Sequence, residues 1–150
     1  MAKRKVDMVN ALILDKNDYA LIIHNCKQYE DKRNNRWEFP GGKVEPEDKN
    51  LEEATIRELE EELGIKIKII RKESRKIFGD YETTTLEGKF LCRTYHAKII
   101  SGEPIIQESE RDNHDKVEYA NYNRLLHLNE ERILAPNLFL ALTKLKEYME

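Results

Sequence analysis

The chain has 150 residues, the size of about one domain. Charged residues make up 37% of it and hydrophobic residues 39%, and 26 Lys and Arg against 29 Asp and Glu leave a formal charge of −3. These values exclude the strongly basic footprint of a general nucleic-acid binder, and no apolar run approaches the ~18 residues of a membrane span.

Residues 6–14 are apolar and rich in β-branched side chains, which predicts a strand. A turn at 15–18 and a second strand at 19–24 complete a predicted hairpin. Residues 28–36 are polar and charged and read as a surface loop. Trp37-Glu38-Phe39-Pro40 is a short strand that stops at Gly41-Gly42. A loop with Pro46 leads into a helix over 51–63. Alternation of apolar and charged residues over 65–77 predicts a half-buried strand. A turn is expected at 86–89, strands at 90–100 and 116–120, and an amphipathic helix at 136–148 with Pro136 in its first turn. The expected architecture is one α/β domain over residues 1–150, with helices covering a mixed sheet. The N-terminus lacks the apolar core of a signal peptide, and Cys26 and Cys92 form no metal-type pair. A reducing, cytoplasmic setting is therefore expected, with no nucleic-acid or membrane partner. A monomer or a homodimer is expected, and the sequence does not choose between them.

The helix over 51–63 has clear ends. Asn50 is an N-cap residue with Glu53 three positions on, and Gly64 stands where a left-handed C-terminal cap is wanted. At about 100° per residue, Ile56, Leu59 and Leu63 form an apolar stripe. Glu58, Glu61 and Glu62 lie on another face, whose first turn carries Leu51 and Ala54. Carboxylates at i, i+3 and i+4 repel one another, and partly covered ones need a proton or a cation. Hard ions such as Mg²⁺ take such oxygen ligands. Gly41 and Gly42 permit close approach of the backbone, and Arg57 can pair with Glu61 at i+4. A Glu-rich helix is more commonly a solvated face, so the argument rests on the constellation as a whole.

That constellation resembles the Nudix family. Gly42 opens the family's box, and Arg57-Glu58-Leu59-Glu60-Glu61-Glu62-Leu63-Gly64-Ile65 matches every fixed position of its second half. Trp37 to Glu45 also resembles MutT-type members. The box departs from the family's pattern at its first Glu, where Asp48 stands, and eight residues instead of seven separate Asp48 from Arg57. Glu47 or Asp48 could fill that place.

The resemblance implies a Nudix-like α/β/α sandwich with a mixed sheet. It implies that Glu58, Glu61 and Glu62, with the Gly41 carbonyl, hold Mg²⁺, for which Mn²⁺ could substitute. It implies a catalytic set of Arg57, Glu58, Glu61 and a general base. Glu118, before Tyr119 on a late strand, resembles the base of MutT-type members. Glu58 is the alternative, and Glu108 and Glu110 lie in a loop that could reach the site. Phe39 and Lys43 beside the glycines, Asn137 after Ala135-Pro136, and Tyr81 at the spacing of dinucleoside polyphosphate hydrolases are the candidates for substrate contact. The absence of a Pro between Pro46 and Pro104 argues against the ADP-ribose branch. The coenzyme A signature lacks its Gly, although Arg33 and Arg36 are present. The expected activity is metal-dependent hydrolysis of a nucleoside triphosphate, including oxidised or non-canonical dNTPs, to monophosphate and pyrophosphate. The alternatives are a dinucleoside polyphosphate, ADP-ribose or nucleotide-sugar hydrolase, or a non-catalytic nucleotide-binding domain. His24, His96, His114 and His127 show no ligand spacing and are expected to be structural or exposed.

Overall fold

The computed structural model describes residues 5–26, 35–70, 77–85, 88–147 and 149, with the backbone alone at 83–85, 136, 137 and 140. The elements in chain order are β1 (Met8–Ile13), β2 (Ala20–Asn25), β3 (Arg36–Glu38), β4 (Gly41–Lys43), α1 (Leu51–Leu63), β5 (Lys66–Ile69), β6 (Ile77–Thr85) and β7 (Gly88–Ser101). A single 3-10 turn (Glu108–Glu110), β8 (His114–Ala120), α2 (Tyr122–Glu130) and α3 (Pro136–Leu145) follow.

The long strand β7 organises the larger sheet. It pairs with β1 in parallel, from Met8 opposite Cys92 to Ile13 opposite Ala97. It pairs antiparallel with β5 and with β6. The outer edge of β1 takes β4, which sets Val9 opposite Gly42 and Asn10 opposite Gly41. A second, antiparallel sheet runs β3-β2-β8. The expected mixed sheet is thus present, divided into two.

Strand alternation explains the layers, because successive side chains point to opposite faces. Val9, Ala11 and Ile13 of β1, with Leu21 and Ile23 of β2, pack with Ala54, Leu59 and Leu63 of α1. Leu12, Ala20 and Ile22 point the other way and pack with Leu125 and Leu128 of α2 and Leu138, Ala141 and Leu142 of α3. Two apolar layers therefore enclose the strands between α1 on one side and α2 and α3 on the other, the expected α/β/α sandwich. No described helix is long and apolar enough to cross a membrane.

The predicted span of α1 is borne out at both ends. Asn50 Oδ1 accepts the Glu53 N–H at 2.8 Å. Gly64 closes the helix in the left-handed region at φ 67°, its N–H donating to the Glu60 carbonyl. Other expectations need correction. β1 and β2 are joined by a short turn, with a bridge between Leu14 and Ala20 and the Asp15 N–H donating to the Tyr19 carbonyl, but they form no hairpin ladder, and each enters a different sheet. Residues 41–43 are a strand, not the end of one, because the glycines let the chain run against β1. Of the strand expected over 65–77, Lys66–Ile69 is β5 and Ile77 begins β6, while residues 71–76 lie outside the described residues. α2 and most of β6 were not anticipated. α2 buries only Leu125 and Leu128, too little for a helical period to stand out, although Asn121 caps it by accepting the Arg124 N–H. Residues 2–4 and 28–34 (Arg33 included), the Leu86-Glu87 half of the predicted turn, and Tyr148 lie outside the described residues.

Leu59 is fully buried between α1 and the strands. Leu59→Ala is expected to cost about 2–5 kcal/mol in urea unfolding. A loss below about 1 kcal/mol would show that α1 is not seated on this core.

Candidate metal and active site

The local sequence places the carboxylates of α1 at three depths. Glu62 lies between Ala54 and the Leu59–Leu63 stripe around α1, all of them buried, and is 3% exposed. Glu58 is half-buried and Glu61 is exposed. One Glu62 oxygen, Oε1, accepts the Gly41 N–H at 3.1 Å. At Gly41 the β1 backbone leaves no room for a side chain, and at Gly42 a side chain would displace the Glu58 carboxylate. A Cβ on Gly41 would stand 2.1 Å from the Val9 carbonyl oxygen, and one on Gly42 2.4 Å from Glu58 Oε2. The contact that Gly41 makes here is through its N–H.

Arg57 braces the helix against the preceding loop. Its Nε and Nη2 donate to the two Asp48 oxygens at 2.8 and 2.9 Å. Nη2 also donates to the Lys43 carbonyl, and Nη1 donates to Glu58 at 3.0 Å and Glu61 at 3.1 Å. Such bidentate, charge-assisted bonds fix geometry as well as charge. Of the two candidates at the departing box position, Asp48 is the one that meets Arg57, while Glu47 is exposed. The Arg57 guanidinium holds the Asp48 carboxyl down at about 2. The one-residue insertion is absorbed in the loop and leaves the helix intact.

A second segment closes over the end of α1. The Ile105 and Gln107 N–H groups donate to the Leu63 and Glu62 carbonyls, satisfying acceptors that a helix end leaves open. This pins the chain just before Glu110, and β8 begins at His114. Glu62, Glu110 and His114 each bring a ligand atom within 4.8 Å of the others. Glu38 at the end of β3 joins them, its Oε1 lying 2.9 Å from His114 Nε2. Burial pushes the Glu62 carboxyl well above the usual carboxylate range; the Glu38 charge adds to this, and the Gly41 N–H opposes it. Burial raises Glu58 as well, against the pull of Arg57. This crowded, covered set of oxygen donors fits a divalent cation, and so does the buried His114 Nδ1, which has no hydrogen-bond partner.

The other expected residues fall differently. Glu118 sits on β8 opposite Ile22 and forms a two-bond pair with Arg124 at 3.1 and 3.2 Å. It is four residues along the strand from His114, or ~13 Å. Phe39 does not present a face for a base: it is 3% exposed and packs edge-on against Phe78 at 6.4 Å. Tyr81 lies on β6 with its ring 6.4 Å from Phe78, packed against the second core. Lys43 is exposed, with its ammonium 5.7 Å from the Phe90 ring centre. Asn137 stands in the first turn of α3, and its side chain lies outside the described residues. Glu108 opens the 3-10 turn and is exposed. Of the histidines expected to be structural, His24 is buried against Asp115 and Asn35, and His127 is exposed beside Glu131. His114 is the correction, since it belongs to the carboxylate cluster. Ligand spacing within one helix could not reveal it, but Glu110 and His114 stand at i and i+4, a signal available in the sequence.

A group whose folded pKa is raised stabilises the protein in its protonated form. That contribution is whole below the ordinary Glu value of ~4.3 and is lost as pH rises through the raised value. In metal-free protein Glu62→Gln is thus expected to raise the melting temperature at pH 8 by on the order of 2–4 °C, with the gain shrinking toward pH 4. A variant less stable than wild type at pH 8 would contradict the burial of an uncompensated carboxylate.

Comparison with known proteins agrees with this geometry. A family profile described as the NUDIX domain matches residues 4–140. An 8-oxo-dGTP diphosphatase of Proteus vulgaris is 36% identical over 67 residues, covering 45% of this chain and 57% of that protein. A putative 8-oxo-dGTP diphosphatase of Bacillus subtilis is 41% identical over 63 residues, covering 42% of this chain and 36% of the relative. The match therefore spans about half or less of the curated relatives' length. A MutT NUDIX hydrolase structure from Burkholderia pseudomallei is 25% identical with a TM-score of 0.63, covering 81% of this chain and 87% of the other. A MutT protein structure from Methanosarcina mazei Go1 shares the fold at 20% identity, with a TM-score of 0.70 and 96% of both chains covered. A profile match over most of the chain, on this α/β/α fold, makes the protein a member of the Nudix family.

Proposed function

We propose that the protein is a metal-dependent pyrophosphohydrolase that cleaves a nucleoside triphosphate to monophosphate and pyrophosphate, with oxidised or non-canonical dNTPs among its substrates, and that residues 1–150 act as one domain. The observation that carries this reading is the buried Glu62, held by the Gly41 amide beside half-buried Glu58 and beside Glu110. A purely structural helix has no use for such an arrangement, since each uncompensated buried carboxylate destabilises the fold. The names of the two curated relatives support the substrate class.

Glu58, Glu61 and Glu62, with the Gly41 carbonyl, would hold Mg²⁺, and Mn²⁺ could substitute. A bound divalent ion supplies neutralisation of phosphate charge and a lowered pKa for coordinated water. Arg57 orients Glu58 and Glu61 by donating to both. Glu58, raised by burial and one turn before Glu62 on α1, is the better-placed proton acceptor, because Glu118 lies ~13 Å along β8 from His114. Lys43, exposed on the strand that carries the glycines, is the candidate to meet phosphate oxygens. Asn137, in the first turn of α3, is the candidate to read the base, since an amide offers both donor and acceptors.

Two measurements test this reading. Release of pyrophosphate and phosphate is followed for canonical and 8-oxo dNTPs, ADP-ribose, nucleotide sugars and diadenosine tetraphosphate, with Mg²⁺ and with EDTA. Magnesium-dependent pyrophosphate from a dNTP is expected, reduced 10²-fold or more in Glu62→Gln. Turnover of ADP-ribose or the dinucleotide alone would overturn the substrate assignment, and near-wild-type activity of the variant would overturn the site. In the second, Asn137→Ala is expected to raise KM or change base preference, and an unaltered profile across the bases would remove Asn137 from the site.

A further inference from the structure

The proposed hydrolysis leaves three members of the cluster, Glu38, Glu110 and His114, without a task, and His114 joins the other two. Its Nε2 lies 2.9 Å from Glu38 Oε1. In the neutral ring Nε2 therefore carries the proton and donates it to that carboxylate, which leaves a lone pair on Nδ1. The residue is 8% exposed, and Nδ1 has no hydrogen-bond partner. Nδ1 faces Glu62 Oε2 at 3.7 Å and Glu110 Oε2 at 3.9 Å. These separations are too long for hydrogen bonds, so the Nδ1 lone pair receives no donor from either carboxyl group. They are within the ~4.2 Å that separates two donors on opposite sides of one ion with bonds of ~2.1 Å. A carboxylate that receives the distal N–H and turns the other nitrogen inward is the usual support for a metal-binding histidine.

We propose that His114 Nδ1 is a metal ligand together with Glu62 and Glu110, and that this nitrogen makes the site prefer a first-row transition ion to Mg²⁺. The inference rests on the reading of the cluster as a divalent-metal centre and adds His114 and Glu110 to the donors named there. Mg²⁺ favours oxygen donors and gives up water reluctantly, whereas imidazole suits the transition ions. Glu38 is then a positioning residue that fixes the ring's tautomer and direction. Glu110 reaches the ion from the loop that the Ile105 and Gln107 amides tie to α1.

The test is pulsed electron paramagnetic resonance of the whole protein loaded with Mn²⁺, which detects nitrogen bound to the ion. Wild-type protein is expected to show nitrogen couplings that change when the protein is made with nitrogen-15 histidine, and that vanish in His114→Asn. In the same variant Mn²⁺ affinity is expected to fall on the order of 10- to 100-fold, and Mg²⁺ affinity by less than about 3-fold. Bound Mn²⁺ with no histidine coupling in the wild-type protein overturns the inference and leaves the metal centre standing. Couplings that persist in the variant assign the nitrogen to another histidine and also overturn it. Absence of Mn²⁺ binding overturns the inference together with the metal reading. The isotope comparison needs no substitution, so a variant that fails to fold does not spoil the test.

Discussion

The fold is arranged around a buried carboxylate. Glu62 projects from the core-facing side of α1 and is 3% exposed, with Glu38 and Glu110 close enough to disfavour its charge further. A buried carboxylate must take a proton, a hydrogen-bond donor or a cation. Here one oxygen receives a single backbone N–H, from Gly41. The remaining need is what the surrounding elements serve: β4 brings the amide, the chain after β7 brings Glu110 and His114, and α1 holds Glu58 one turn earlier. Stability is given up locally, and in the proposed function that cost is recovered when a divalent ion binds.

Such a site works only if its carboxylates cannot relax away. Arg57 prevents this by holding Asp48, the Lys43 carbonyl, Glu58 and Glu61 at once. The loop before α1 and the helix itself are thereby locked in register. The glycines complete the lock from the other side, since the Val9 carbonyl and the Glu58 carboxylate occupy the space a side chain would need. The rest of the molecule supplies a rigid frame: alternation along β1 and β2 divides their side chains between two cores, and α1 is clamped to the strands by Leu59 and Leu63.

How much of this was legible in the sequence depended on whether the signal was local. α1 could be placed from Asn50, Glu53 and Gly64, because capping is settled within a few residues. The Arg57–Glu61 pair followed from i,i+4 spacing. β6 could not be read, because its Gly79-Asp80 and threonines have no clear alternation and its strand state comes from pairing with β7. α2 was hidden for a similar reason, with two leucines buried and charged residues around them. The apparent hairpin of β1 and β2 shows the limit of turn chemistry, which predicts the turn but not the sheet each arm enters. At the site, the box glutamates were evident from one helix. Glu38 and His114 come from strands on either side of β2, and only the paired sheet brings them together. Family resemblance made Glu118 a candidate base, and its place beside the glycines made Phe39 a candidate base contact; tertiary packing sets Phe39 against Phe78 and pairs Glu118 with Arg124.

The most direct test of the central claim is anomalous diffraction from crystals soaked in Mn²⁺ with a non-hydrolysable nucleotide triphosphate. The account predicts an anomalous peak within bonding distance of a Glu62 oxygen, at ~2.2 Å, between α1 and the Glu110 loop, with the phosphates directed at it. A nucleotide bound elsewhere, or a peak that leaves Glu62 without contact, would contradict the assignment of this buried carboxylate as the centre of the site.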